Sequence, residues 1–207
     1  TGGFTGFVVQ DMTENMRLFA AHWKKLGVKF DAIITGYCCT VGQTGLAADF
    51  IRSFADANTL VVVDPVLGDH ERLYTGFSDA HIDAMRELCG LADLITPNRT
   101  EAALLTGLPF SSSDEQILDA LKTPNAVITS AGSADRIGYL ARLDGRVTCV
   151  QKPVVDMTLH GAGDVFTSAL CGELLSGQAP QNALLHAADF CDSCIHETDK
   201  RQPGHWY

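Results

Sequence analysis

The sequence predicts an α/β fold: a mainly parallel central sheet between two layers of helices, in a single domain over residues 1–207. Three observations predict it. Short apolar runs such as Leu60-Val61-Val62-Val63 are continuous and β-branched, as strands buried on both faces must be. Helix-period segments follow such runs at least four times, and that alternation implies right-handed crossovers between parallel strands. The 207 residues are 46% hydrophobic and 19% charged, the proportions of one globular domain with a sizeable core.

Each element has its own signal. Met12, Met16, Phe19, Trp23 and Leu26 recur at spacings of four and three, which predicts an amphipathic helix whose apolar face joins the core and which Gly27 stops. Residues 31–35 (DAIIT) read as a short buried strand, and 41–57 as a helix. Residues 60–63 are a buried parallel strand and 78–88 a helix; 94–96 is again a strand. A helix over 99–105 ends at Gly107 and Pro109, and another spans 113–121. Residues 126–129 form a strand. Residues 137–143 and 146–150 flank Asp144-Gly145, which suits a tight hairpin turn. Helices over 165–175 and 183–196 complete the chain.

Charge excludes several functions. With 25 acidic and 15 basic residues the net charge is −10, which repels nucleic acid and anionic membranes at long range. No apolar run approaches the ~18 residues of a membrane span. No basic stretch followed by an apolar one marks a leader, and seven cysteines in a chain of this size suit free thiols, so a cytoplasmic location is expected. The chain opens on Thr1-Gly2-Gly3-Phe4-Thr5-Gly6, a loop on which domains seldom begin, so further residues are expected upstream.

In such a sheet ligands bind beyond the carboxyl ends of the strands. There the sequence places Gly36-Tyr37, then Asp64-Pro65-Val66-Leu67-Gly68-Asp69, then Thr96-Pro97-Asn98-Arg99-Thr100-Glu101, then Thr129-Ser130-Ala131-Gly132. His160-Gly161-Ala162-Gly163-Asp164 is the last such loop and opens a helix. Each has a structural alternative. Asp64-Pro65 can stop a strand, Asn98 with Glu101 makes a capping box, and Asp164 suits the positive end of a helix dipole. Their joint arrival at one rim points to chemistry. Gly161 and Gly163 let backbone N–H groups approach an anion such as a phosphate. Phe166 stands where a dinucleotide fingerprint needs its third glycine, and a Walker lysine motif is absent, so neither of those nucleotide modes is supported. A carboxylate beside a phosphate, as at Asp164, suits a general base for an attacking hydroxyl. Asp69 and Glu101 are oxygen donors of the kind magnesium takes when it bridges phosphates.

These motifs together resemble the ribokinase-like superfamily, and within it the pyridoxal kinases, across nearly the whole chain. The likeness rests on Asp64 to Asp69, on Ala92-Asp93-Leu94-Ile95-Thr96-Pro97-Asn98 with Glu101, on Val127-Ile128-Thr129-Ser130 and on Gly161-Ala162-Gly163-Asp164, in that order. It implies a three-layer α/β/α fold from which N-terminal strands are missing, and ATP-dependent phosphorylation of the 5-hydroxymethyl group of pyridoxal, pyridoxine or pyridoxamine. It also implies magnesium and a cytoplasmic homodimer. Asp164 matches the catalytic base, in contact with the substrate hydroxyl. Asp69 and Glu101 match acidic positions at the magnesium–phosphate site. Asp64, Asn98, Thr129 and Ser130 match nucleotide-side positions, and Gly161, Ala162 and Gly163 the anion loop. Val155-Asp156 matches a segment lining the nucleotide pocket, and Tyr74 the tyrosine of a flap over ATP. Thr1 and Tyr37 match substrate-ring positions.

His160 departs from the pyridoxal kinase pattern and is similar to the residue of hydroxymethylpyrimidine kinases, which carry Cys where this chain has Asp164. A hydroxymethylpyrimidine or other small-alcohol kinase is therefore the alternative, and a non-catalytic nucleotide- or pyridoxal-binding protein a third reading. Cys191 and Cys194 with His186 and His196 could suggest a metal cluster, but two thiols on one helix face suit core packing better.

Overall fold

Val61 and Val63 point to one face of the sheet and Val62 to the other, and all three are buried. The same alternation recurs in Ile95 against Leu94, and in Ala126 and Ile128 against Val127. Continuous apolar runs thus become strands with helices on both sides. The computed structural model describes residues 6, 8–133, 135–155 and 160–201, without the side chains of 199–201. Its elements are α1 (Thr13–Leu26), β1 (Ala32–Thr35), α2 (Val41–Phe54), β2 (Leu60–Val63), β3 (Gly68–Asp69), β4 (Arg72–Leu73), α3 (Asp79–Cys89), β5 (Leu94–Ile95), α4 (Arg99–Thr106), α5 (Asp114–Ala120), β6 (Asn125–Gly132), β7 (Arg136–Leu143), β8 (Arg146–Pro153), α6 (Ala162–Leu175) and α7 (Pro180–Arg201).

The main sheet runs β1-β2-β5-β6-β7-β8. Its first four strands are parallel, and the β7–β8 hairpin extends them antiparallel. Helices α2 to α5 cover one face, through Ile51, Met85, Ala102 and Ile117 among others. Helices α6 and α7 cover the other, through Phe166, Leu170, Leu184 and Ala188. Each helix is punctuated as its sequence demands. Asn98 and Ser113 accept from the backbone N–H three residues on, and Gly27 and Gly107 close helices in the left-handed conformation. Among the described residues no helix is long and apolar enough to cross a membrane.

Three differences from the sequence expectations have physical causes. The helix expected over 41–57 ends at Phe54, because Ala55 turns extended. The last helix starts earlier, at Pro180, where a missing N–H costs nothing. The third concerns α1, whose apolar face was expected in the core. The helix forms, yet none of its residues is buried; Trp23 is 37% and Leu26 64% exposed. Among the described residues its neighbour β1 pairs with β2 alone. Trp23 meets Phe30 and Phe50 edge-on, and the rest of the face opens on a groove of about 530 Å³ lined by Phe19, Trp23, Ile33, Tyr37 and Phe50. Helical periodicity establishes which residues share a face, not whether anything covers it.

Candidate active site

The parallel strands deliver their carboxyl ends to one rim, and local chemistry then fixes each loop. After β2, Asp64 donates its backbone N–H to Thr35 O at 2.9 Å, tying the loop to the end of β1. The chain then makes a small hairpin, β3–β4, that the sequence did not announce. Gly68 is required there, because a Cβ would lie 2.1 Å from Arg72 O. The turn residues His70 and Glu71 both adopt positive φ, 50° and 59°, although glycine and asparagine favour such turns. Thr100 Oγ1 accepts from Glu71 N–H at 3.0 Å and anchors the turn to α4. Asp69, exposed on this hairpin, accepts from His70 N–H at 2.8 Å.

Asn98 and Glu101 form the anticipated capping box, and each also does more. Asn98 Nδ2 donates to Gly68 O at 2.8 Å, joining α4 to the hairpin. Glu101 is only 3% exposed; its Oε1 accepts from Leu67 N–H at 3.0 Å and its Oε2 from Asn98 N–H at 2.8 Å. Burial nevertheless dominates and pushes the Glu101 carboxyl up to about 8, against the opposing pull of the Asn98 N–H and with a further push from Asp64. Asp64 is raised to about 7, by burial first and then by the charge of Asp164. No cationic side chain is among the groups that set either value.

Asp164 stands in the first turn of α6 and is exposed. Gly161 caps that helix at φ 86°, a conformation glycine takes without strain. Ala162 and Gly163 already belong to the helix, so the loop is shorter than expected. A Cβ on Gly163 would meet nothing within 4 Å, so the protein's own packing does not require glycine there. Two bonds set this helix end: Thr167 Oγ1 lies 2.8 Å from Thr96 Oγ1 at the end of β5, and Cys191 Sγ of α7 donates to Ala162 O at 3.5 Å.

One group senses all four carboxylates. The Tyr74 hydroxyl is pushed up to about 12, by burial and then by Glu101, Asp69, Asp64 and Asp164 in turn. Residues 64, 69, 101 and 164 thus all lie within electrostatic reach of Tyr74. Thr129 joins them from β6, bridging to Asn98 and donating its N–H to Pro97 O at 2.8 Å. Ser130 follows at φ 60°, at a register shift between β6 and β7. Tyr37 lies on the β1 flank of the rim and Val155 on the β8 flank. Thr1 and Asp156 lie outside the described residues. Sequence reading missed the buried Thr35 hydroxyl, which has no hydrogen-bond partner among the described residues, and the ring stack of Tyr37, Phe77 and His81. Neither carries a local motif. Among the described residues no three His, Cys, Asp or Glu groups gather as a metal cage, and His186 and His196 pair with Glu173 and Asp192. All seven cysteines are free.

Known proteins are similar to this chain in sequence and fold. The chain is 34% identical over 185 residues to the pyridoxine kinase of Bacillus subtilis, covering 83% of this chain and 66% of that protein. It is 30% identical over 158 residues to a putative pyridoxal kinase of Schizosaccharomyces pombe, covering 70% of this chain and 50% of that one. The chain thus spans half to two thirds of these curated relatives. The pyridoxal kinase structure from Lactobacillus plantarum superposes with a TM-score of 0.89 at 33% identity, over 97% of this chain and 74% of that one. A putative phosphomethylpyrimidine kinase from Bacteroides thetaiotaomicron, solved with pyridoxal, gives 0.86 at 35% identity, over all of this chain and 76% of that one. The phosphomethylpyrimidine kinase profile matches residues 5–207, and with it the fold is ribokinase-like: the chain belongs to the phosphomethylpyrimidine kinase family.

Proposed function

We propose that the protein transfers the terminal phosphoryl group of ATP to the 5-hydroxymethyl group of pyridoxal, pyridoxine or pyridoxamine. The observation that carries this reading is the position of Asp164 in the first turn of α6, with Asp164, Asp64, Asp69 and Glu101 all within electrostatic reach of Tyr74. Asp164 takes the proton as the substrate oxygen attacks phosphorus; the bond to the bridging oxygen breaks and ADP leaves. The N–H groups at the start of α6, with no side chain on Gly163, receive the oxygens of the transferring group. Asn98, Thr129 and Ser130, with Val155 on the β8 side and with Asp156, hold the nucleotide, and Tyr74 covers it. Tyr37, with Thr1, takes the pyridine ring.

Asp69 and Glu101 are hard oxygen donors of the kind magnesium takes and would hold it together with phosphate oxygens and water, since the described residues offer no protein cage of three ligands. When bound, that ion supplies charge neutralisation on the phosphates. His160 and the family's description favour a second substrate class, the hydroxymethylpyrimidines.

The test is product formation by the full-length protein with ATP, magnesium and a panel of vitamers and hydroxymethylpyrimidine. Pyridoxal 5'-phosphate is the expected product. Faster turnover of the pyrimidine selects the second reading, and nucleotide binding without turnover of any alcohol makes the protein a binding module.

A further inference from the structure

Three aromatic rings lie in register beside the carboxylate cluster. Tyr37, just past β1, stacks on Phe77 with centroids 5.9 Å apart and planes 15° from parallel. Phe77 stacks in turn on His81, at 4.5 Å and 10°. Both are favourable offset arrangements for aromatic pairs. The far end of the stack is anchored. His81 lies in the first turn of α3, where its Nδ1 accepts from Ser78 N–H at 3.1 Å as half of the helix's capping box. Phe77 is anchored by its backbone, donating its N–H to Tyr74 O at 3.0 Å across a turn in which Gly76 has φ 89°. Among the described residues Tyr37 has no such anchor. It stays 63% exposed and lines the open groove beside β1.

We propose that Phe77, held by His81, is a positioning residue that presets the plane of the Tyr37 ring, so that an aromatic substrate ring docks on Tyr37 as the next member of the stack. The proposal rests on the vitamer-kinase reading and extends it to how the ring subsite is built. An exposed tyrosine on a loop otherwise samples several rotamers, and freezing one on binding weakens affinity by about two- to tenfold. The stack supplies that order beforehand.

The experiment uses the full-length protein with 3-fluorotyrosine incorporated, the Tyr37 resonance being assigned from its loss in Tyr37→Phe. In Phe77→Leu the Tyr37 signal moves toward that of a solvent-exposed tyrosine, and KM for the vitamer rises by about two- to tenfold. kcat stays within about twofold, and KM for ATP rises less than KM for the vitamer although Phe77 also packs edge-on against Tyr74, a split that a merely structural defect would not produce. Phe77→Tyr restores both readouts. His81→Gln keeps a capping acceptor but removes the last ring, and moves both readouts part of the way. An unmoved Tyr37 signal and unmoved vitamer KM in Phe77→Leu overturn the proposal, as does a Phe77→Tyr variant as impaired as Phe77→Leu. If the unaltered protein turns over no vitamer, the functional reading fails, while the fluorine signal still decides whether Phe77 orders Tyr37.

Discussion

The carboxyl ends of β2, β5 and β6 and the carboxyl end of β1 serve one rim, but different physics holds them. The three interior strands are buried on both faces, and their loops are locked by polar bonds: Glu101 to Leu67 and Asn98, Asn98 to Gly68, Thr129 to Pro97. Among the described residues β1 has a strand neighbour on one side, a helix none of whose residues is buried, and beyond its end a tyrosine that stacks on Phe77. The difference teaches where precision comes from. In-line phosphoryl transfer needs donors and acceptors held in one geometry, which a two-sided core supplies. Recognition of a flat ring needs a preset plane, which a few stacked aromatics can provide at an edge.

Replacing Asp164 with Ala in the full-length protein tests the interior half hardest. We expect turnover to fall by roughly a hundred- to ten-thousand-fold with ATP binding little changed. A variant that keeps its rate removes Asp164 from the chemistry. Stability probes the same contrast. Phe166, buried against Tyr139 at 4.0 Å, should cost about 3–5 kcal/mol when cut to Ala, measured by urea unfolding.

The buried carboxyls predict a pH trend. Glu101 rises from an ordinary 4.5 to about 8 on folding, so the native state holds its proton more tightly than the unfolded chain. That contribution is complete below about 4.5 and lost as pH climbs through about 8. Without divalent cations, stability should fall by on the order of 1–4 kcal/mol from pH 5 to 8, Asp64 acting in the same direction. In Glu101→Gln the slope should flatten; a variant with the parent's full slope would assign the trend to other groups. The smallest effect belongs to the edge. Leu18 on α1 is exposed, and Leu18→Ala should shift unfolding by no more than about 0.5 kcal/mol. A loss matching that of Phe166→Ala would erase the distinction between the two regions.

Much of this was readable in one dimension, for reasons particular residues make plain. Local patterning specified β2 to the residue, because four consecutive apolar residues, three of them β-branched, leave a buried strand few competitors. The caps at Asn98 and Ser113 follow from side chains that reach their own helix's N–H groups. The strand-end motifs named all four carboxylates that act on Tyr74, because parallel crossovers send every carboxyl end to one rim. Other features depend on residues remote in sequence. The β3–β4 hairpin is held by Thr100 and Asn98, some thirty positions on, and no turn signature marks His70-Glu71. Whether α1 is covered depends on which other segments pack against it, which its own heptad-like spacing does not encode. The elevation of Asp64 and Glu101 comes from burial, and burial arises only when distant segments pack. Short-range propensity and periodicity are properties of neighbouring residues and so survive in the bare string, whereas desolvation, edge position and ring stacking belong to the assembled molecule.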